Sequence, residues 1–179
     1  MLRWKKVITP SSVLIVLSLV LASSAFADNT VADQLSDFRR TAFELRQEAD
    51  TLKSFALNKR LSWESHTDRL HALKGQVNQL GKSLAALEAQ KSRATKNQSM
   101  AIEHARPHLV AVAQNLTRAI ELVRENRDNV HSIEYAEAGD NIYAHANELH
   151  TKVDAILDYA ASKMRLDRLE LQPVSTLGN

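Results

Sequence analysis

The stretch that decides the fold runs from residue 30 to residue 59 and reads TVADQLSDFRRTAFELRQEADTLKSFALNK. It contains neither Gly nor Pro, and its apolar residues recur at alternating intervals of four and three positions. Polar and charged residues fill the intervening positions, so the apolar residues form one stripe along a helix. The stripe consists of Val31, Leu35, Phe38, Ala42, Leu45, Ala49, Leu52 and Ala56. This pattern predicts a helix of almost four heptads that buries one face.

Three further segments carry the same alternation. They are predicted to form a second helix that begins at Ser62 as its N-cap, a third over about 99–126 and a fourth over about 130–168. Their stripe positions are Trp63, His66, Leu70, Leu73, Val77, Leu80, Leu84 and Leu87 in the second helix, Ile102, Ala105, Leu109, Val112, Leu116, Ala119 and Val123 in the third, and Tyr135, Ala138, Ile142, His145, Leu149, Val153, Ile156 and Ala160 in the fourth.

Short polar links around residues 58–61, 91–98 and 126–129 join the four segments. Because short links make consecutive helices antiparallel, we predict an all-α fold, an up-down-up-down antiparallel four-helix bundle. The bundle is expected over residues 28–171, followed by a flexible tail over 172–179. Such stripes also suit a pair of hairpins that completes its core by dimerising, so both a monomer and a homodimer remain open.

The composition agrees with a helical fold, because the 179 residues include only 4 Gly and 3 Pro. The absence of Cys excludes disulfide scaffolds, thiolate metal sites, covalent haem attachment and Cys catalysis. Gly75, Gly81 and Gly139 lie inside predicted helices. We expect them to mark close helix crossings, or alternatively to leave space for a ligand. Pro107 is expected either to kink the third helix or to mark its first turn.

The N-terminus has the layout of a secretory signal. A positive segment that contains Arg3 is followed by an apolar run over 13–22. Small residues come next, with Ala25 and Ala27 placed for cleavage before Asp28. The apolar run is shorter than the roughly twenty residues that a membrane span needs. Residues 1–27 are therefore predicted to be a cleaved signal peptide, although an uncleaved N-terminal anchor is the alternative.

Export changes the charge of the chain. Removal of Arg3, Lys5 and Lys6 takes the formal net charge from +2 to −1, with positive and negative side chains interspersed. A near-neutral surface offers no electrostatic footprint for nucleic acid, so no nucleic-acid partner is expected. We expect a periplasmic or secreted protein without a stable membrane span after cleavage.

Seven histidines are the main candidates for metal chemistry. His104 and His108 are one helical turn apart, so both rings can face one point. If the third and fourth helices form a hairpin, His108 lies level with His150, and His104 with Asp154. These three histidines and one carboxylate would suit Zn²⁺, Cu²⁺ or Ni²⁺. The alternative interpretation is that they are unliganded surface residues, and the leading prediction includes no cofactor.

His66 and His145 differ from the other histidines because they occupy apolar stripe positions. A core His in an exported helical bundle suggests an axial ligand of b-type haem. The two residues are predicted to lie at different levels of the bundle, which counts against one shared haem. The alternative is that both are partly buried and hydrogen-bonded within the bundle.

No catalytic motif was found, so we predict that the chain is not an enzyme. The pattern of a signal followed by four heptad-bearing helices is similar to that of many exported bundles, including small periplasmic cytochromes and stress chaperones. No shared motif allows residue roles to be carried over from them.

Trp63, Tyr135 and Phe55 should cluster at one end of the bundle, as a core plug or as a platform for a partner. The leading expectation is an exported interaction protein, of adaptor or chaperone-like kind, that binds another protein or an envelope component. The alternative is a metal- or haem-binding bundle.

Overall fold

A computed structural model describes residues 30–170 of the chain. Within that range the structure consists of helices and short links, and it contains no strand. The helices are α1 (Val31–Ala56), α2 (Trp63–Ala89), α3 (Lys96–Glu125) and α4 (Ile133–Glu170), with 3₁₀ turns at Lys91–Arg93 and Arg127–His131. The predicted signal peptide over 1–27, with its cleavage residues Ala25, Ala27 and Asp28, and the predicted tail over 172–179 lie outside the described residues.

The four helices form an antiparallel bundle, which confirms the predicted fold. Helix α1 packs against α2 and α4, and helix α3 also packs against α2 and α4. The pairs α1–α3 and α2–α4 therefore lie across the diagonals. The α1–α2 and α3–α4 links are at one end of the bundle, and the α2–α3 link is at the other. None of these four helices contains a stretch long and apolar enough to cross a membrane.

Two capping boxes define where α1 and α3 begin. The hydroxyl of Thr30 accepts a hydrogen bond from the backbone N–H of Asp33, whose carboxylate accepts the backbone N–H of Thr30. Thr95 and Gln98 make the same reciprocal pair. Each box satisfies two backbone donors that the first turn of a helix leaves without partners. Helix α3 consequently begins at Lys96, three residues earlier than the apolar pattern predicts.

The predicted stripes of the first three helices form the core. All their members are buried except Ala56 and Trp63, which are half-buried. Ala42, Ala49 and Ala105 are each at most 1% exposed, so the helices approach closely along these small side chains. The core is therefore assembled from the residues that the spacing identifies.

Helix α4 departs from its predicted stripe at three positions, because His145, Ile156 and Ala160 are half-buried rather than buried. Its buried residues are Tyr135, Ala138, Gly139, Ile142, Ala146, Leu149 and Val153. His145, predicted to occupy the stripe, is half-buried at its edge, and Ala146 takes the core position. An α-helix has 3.6 residues per turn, so i+3 and i+4 positions compete for the core. Here the apolar methyl group of Ala146 is buried in preference to the imidazole.

The glycines of α2 and α4 have different surroundings. Gly139 is buried against α1, and a Cβ atom there would lie 3.7 Å from the Cβ of Ala56 and 3.8 Å from the Cα of Lys53. The expected close crossing is thus found at Gly139. Gly75 and Gly81 are exposed, and a Cβ at either would have nothing within 4 Å. These two glycines therefore mark neither a crossing nor an internal cavity.

Pro107 lies inside the continuous helix α3. The possibility that it opens the helix is therefore wrong, because the Thr95 capping box starts α3 well before it. Proline has no N–H, so it cannot bond to the carbonyl of Glu103 one turn earlier. Both residues lie on the exposed side of α3.

Candidate functional site

The four residues predicted as metal ligands are not gathered into one site. The ring of His108 lies beside that of His145, with 5.8 Å between their centroids. His150 instead lies against α1, where its ring meets the edge of Phe43 at a centroid distance of 5.3 Å. His104 is exposed on α3. The rings of His108 and His150 therefore have different neighbours, His145 on α4 for the first and Phe43 on α1 for the second.

Asp154, the carboxylate of the predicted metal-ligand set, is paired with an arginine instead. Asp154 forms an ion pair with Arg39 of α1, and the same guanidinium bonds to Asp158 at 3.0 Å. Across residues 30–170, no three His, Asp or Glu side chains are arranged to hold a metal ion. The prediction used the one-turn spacing of His104 and His108 and the level of each residue in the hairpin, whereas a ligand set also requires all the side chains to converge on one point.

The two histidines considered for haem are far apart along the bundle. His66 contacts Tyr135, which is ten residues before His145 on α4. At 1.5 Å per residue this separates the two levels by roughly 15 Å. One iron cannot take both as axial ligands, because such ligands must meet across the metal.

His66 forms the centre of a buried cluster at the end of the bundle that carries the α1–α2 and α3–α4 links. It is fully buried, and its Nδ1 shares a hydrogen bond of 3.2 Å with the hydroxyl of Tyr135. The edges of Phe55 and His131 pack around its ring. Its Nε2 is buried and has no hydrogen-bond partner in the described part of the chain. This arrangement suits a neutral imidazole, as expected for a hydrogen-bonded core histidine.

Burial lowers the pKa of three histidines below the ordinary value of 6.5. For His66 the main cause is desolvation, and the nearby His131 adds to it. Desolvation also dominates for His108, with Lys152 and His145 contributing. For His150 desolvation outweighs the opposing effect of Asp154. Each of these side chains binds a proton less readily in the folded chain than in the unfolded one.

We expect the bundle to lose stability in mild acid. A histidine whose folded pKa is lowered contributes its full stability above about pH 6.5, and that contribution falls as the pH drops towards the folded pKa. Urea unfolding between pH 8 and pH 5 should therefore give a free energy of unfolding that declines below about pH 6.5.

The contribution of His66 to this pH dependence can be isolated. His66→Leu should flatten the decline, because the variant has no buried imidazole to protonate at that position. His71→Leu replaces an exposed histidine on the same helix and should leave the slope unchanged. Equal slopes for the wild-type chain and His66→Leu would contradict the assignment.

A groove of about 410 Å³ lies between α2 and α3, near the same end of the bundle. Trp63 and Leu70 of α2 and Ile120 and Val123 of α3 provide its apolar walls. Arg124 and Arg127 border it, and the guanidinium of Arg127 stacks on the indole of Trp63 at 4.1 Å. Trp63 is thus exposed to this groove rather than closed into the plug around His66.

A second apolar stripe lies on the outward face of the last part of α4. Ala155, Tyr159, Ser162, Leu166 and Leu169 follow one another at intervals of four, three, four and three residues. Tyr159, Leu166 and Leu169 are 64%, 60% and 65% exposed. Three large apolar side chains on one exposed helix face are typical of a surface that binds another helix.

The end of α4 extends beyond the rest of the bundle. Lys53 pairs with Asp140 at 3.2 Å and Arg39 pairs with Asp158 at 3.0 Å, which sets the level of α4 against the antiparallel α1. By this register Val31, the first residue of α1, lies at a level between Ser162 and Leu166 of α4. The last four to eight residues of α4 therefore project about 6–12 Å past α1.

Neither the groove arginines nor the outward stripe was singled out from the sequence. The stripe has the same four-three spacing as the core, so a search for a second period on α4 would have found it. Comparison of the chain with protein-family models, with curated proteins and with solved structures finds no match.

Proposed function

We propose that this chain is an exported, non-enzymatic interaction protein, of adaptor or chaperone-like kind, that assembles with a second copy of itself through the outward stripe of α4. The stripe is the observation that carries the proposal. Exposed large apolar residues at heptad spacing are stabilised when a second helix covers them. Export is supported by the signal-like residues 1–27.

The charges beside the stripe favour a second copy as the partner. Asp158 and Arg165 lie along one side of it, and Lys163 and Glu170 lie along the other. When two such helices run parallel, Asp158 of one chain faces Lys163 of the other, and Arg165 faces Glu170. Both pairs are of opposite sign, and two-fold symmetry produces each of them twice.

An antiparallel pair would be less favourable. It would bring the same side of each helix together, so that Arg165 faces Arg165 and Lys163 faces Lys163. Like charges at these positions destabilise a helix pair. Asp158 can keep its bond to Arg39 in the parallel pair, because a carboxylate accepts several donors. The parallel arrangement therefore satisfies both the apolar stripe and its flanks.

Sedimentation velocity over a range of chain concentrations tests the assembly. We expect a reversible dimer, and Leu166→Glu should weaken it by at least about tenfold because it places a charge in the contact. Val110→Glu is the matched control, since Val110 is an exposed apolar residue on α3. A chain that remains monomeric at every concentration would contradict the proposal, and so would equal effects of the two variants.

Single-cysteine variants test the direction of the pair, because the chain has no cysteine of its own. In a parallel dimer residue 166 meets its own copy, so Leu166→Cys should form a disulfide-linked dimer on mild oxidation. Val110→Cys should remain unlinked. Cross-linking only in a mixture of Ser162→Cys and Leu166→Cys chains would indicate the antiparallel pair and overturn the parallel one.

A further inference from the structure

We propose that the groove between α2 and α3 binds a small amphiphilic anion, a soluble molecule with an apolar chain or ring and one carboxylate or phosphate group. This site is separate from the outward stripe of α4, because its lining residues belong to α2, to α3 and to the 3₁₀ turn at Arg127–His131. Its volume of about 410 Å³ is within the range of small-molecule sites.

The apolar part of the ligand is accommodated by the walls of the groove. Leu70 and Val123 belong to the bundle core, at 2% and 8% exposed, so they form a fixed floor. Trp63 and Ile120 are half-buried beside them and retain apolar surface that a ligand can cover. Removing this surface from water favours binding of an apolar group.

The charged part is recognised by two arginines at one end. Arg127 is held in place by its stacking on Trp63. Arg124 makes no ion pair or hydrogen bond within residues 30–170, so all of its donors are available. A guanidinium binds the oxygens of a carboxylate or phosphate through paired hydrogen bonds. The residues that line this groove include no Asp or Glu that could compete for the arginines.

A second cleft at the opposite end of the bundle contains carboxylates that pair with its basic residues, unlike the groove. In that cleft Arg106 pairs with Glu88, and Lys91 pairs with Glu103. Its charges are therefore neutralised within the protein. The groove beside Trp63 has apolar walls and uncompensated positive charge, which together fit a ligand that is apolar at one end and negative at the other.

Titration with decanoate tests the assignment in the full-length chain. The chain has two tryptophans, so a Trp4→Phe background makes Trp63 the sole fluorophore. Below its micelle concentration, decanoate should change the Trp63 emission saturably, and calorimetry should give one site per chain. Decyl phosphate should also bind. Decanol and decyltrimethylammonium should bind at least about tenfold more weakly, because they lack the charge that pairs with arginine.

Two arginine variants provide the decisive comparison. Arg124→Gln should weaken decanoate binding by at least about tenfold, as expected for a lost charge-assisted hydrogen bond. Arg118→Gln removes another exposed arginine of α3 that does not line the groove and should change affinity less than twofold. Circular dichroism verifies that both variants fold.

Three outcomes would overturn the proposal. The first is no saturable binding of decanoate, and the second is equal binding of the anionic and cationic amphiphiles. The third is a response to vesicles of anionic phospholipid but none to monomeric decanoate, which would indicate a membrane surface as the occupant instead.

Discussion

Replacing Tyr135 with alanine is expected to lower the free energy of unfolding by about 4 kcal/mol, as for other large buried aromatic residues. Tyr135 is fully buried, and its ring packs against His66 with 5.3 Å between centroids. Alanine would leave a cavity among side chains that cannot fully close around it. It would also remove the hydroxyl that bonds to the Nδ1 of His66. Urea unfolding at pH 8, where His66 is neutral, measures the loss.

Two further variants separate the contributions of the ring and the hydroxyl. Tyr135→Phe keeps the ring and should cost about 1–3 kcal/mol, because it leaves a second buried nitrogen of His66 without a partner. Tyr159→Ala removes an exposed tyrosine of the same helix. At concentrations where the chain is monomeric it should stay within about 0.5 kcal/mol of wild type. A loss for Tyr135→Ala no greater than for Tyr159→Ala would contradict the buried cluster.

The double variant Gly75→Ala/Gly81→Ala is expected to raise the free energy of unfolding by about 2 kcal/mol. Glycine in a helix interior is about 1 kcal/mol less favourable than alanine, and α2 carries both residues in its interior. A methyl group at either position meets nothing within 4 Å, so no contact opposes the gain. The two sites are six residues apart and should contribute additively.

Gly139→Leu provides the contrast for this prediction. A Cβ at Gly139 would already be in ordinary contact with Ala56 and Lys53, so a larger side chain would force α1 and α4 apart. Overpacking of this kind costs about 1–3 kcal/mol. Thermal or urea unfolding of the variants measures both effects. A double variant no more stable than wild type would mean that Gly75 and Gly81 have surroundings other than those described.

The bundle core could be predicted because spacing determines which residues share a helix face. The stripe of α1, from Val31 to Leu52, is buried as the sequence indicates. In α4 the same reasoning selected His145, although Ala146 is the buried residue. Spacing alone cannot decide between adjacent positions where the i+3 and i+4 choices are nearly equivalent, so the polarity of the two side chains had to be weighed as well.

The candidate sites were harder to predict because they depend on how each helix is rotated. The numbering of a hairpin predicted that His108 and His150 lie at one level, but it contains no information about the direction of each ring. Only the packed structure shows His150 against Phe43 and His108 beside His145. The groove could not be predicted for the same reason. Arg124 and Trp63 are distant in sequence and come together only when α2 and α3 pack.

The capping box at Thr30 also determines how the folded domain tolerates proteolytic trimming. The first hydrogen bonds of α1 join Thr30 and Asp33 in the capping box. The next is donated by the backbone N–H of Gln34 to the carbonyl of Thr30, at 3.1 Å. No residue before Thr30 takes part in these bonds. Chains with ragged N-termini, cut at slightly different positions upstream of Thr30, would therefore keep the hydrogen bonds that set the start of α1.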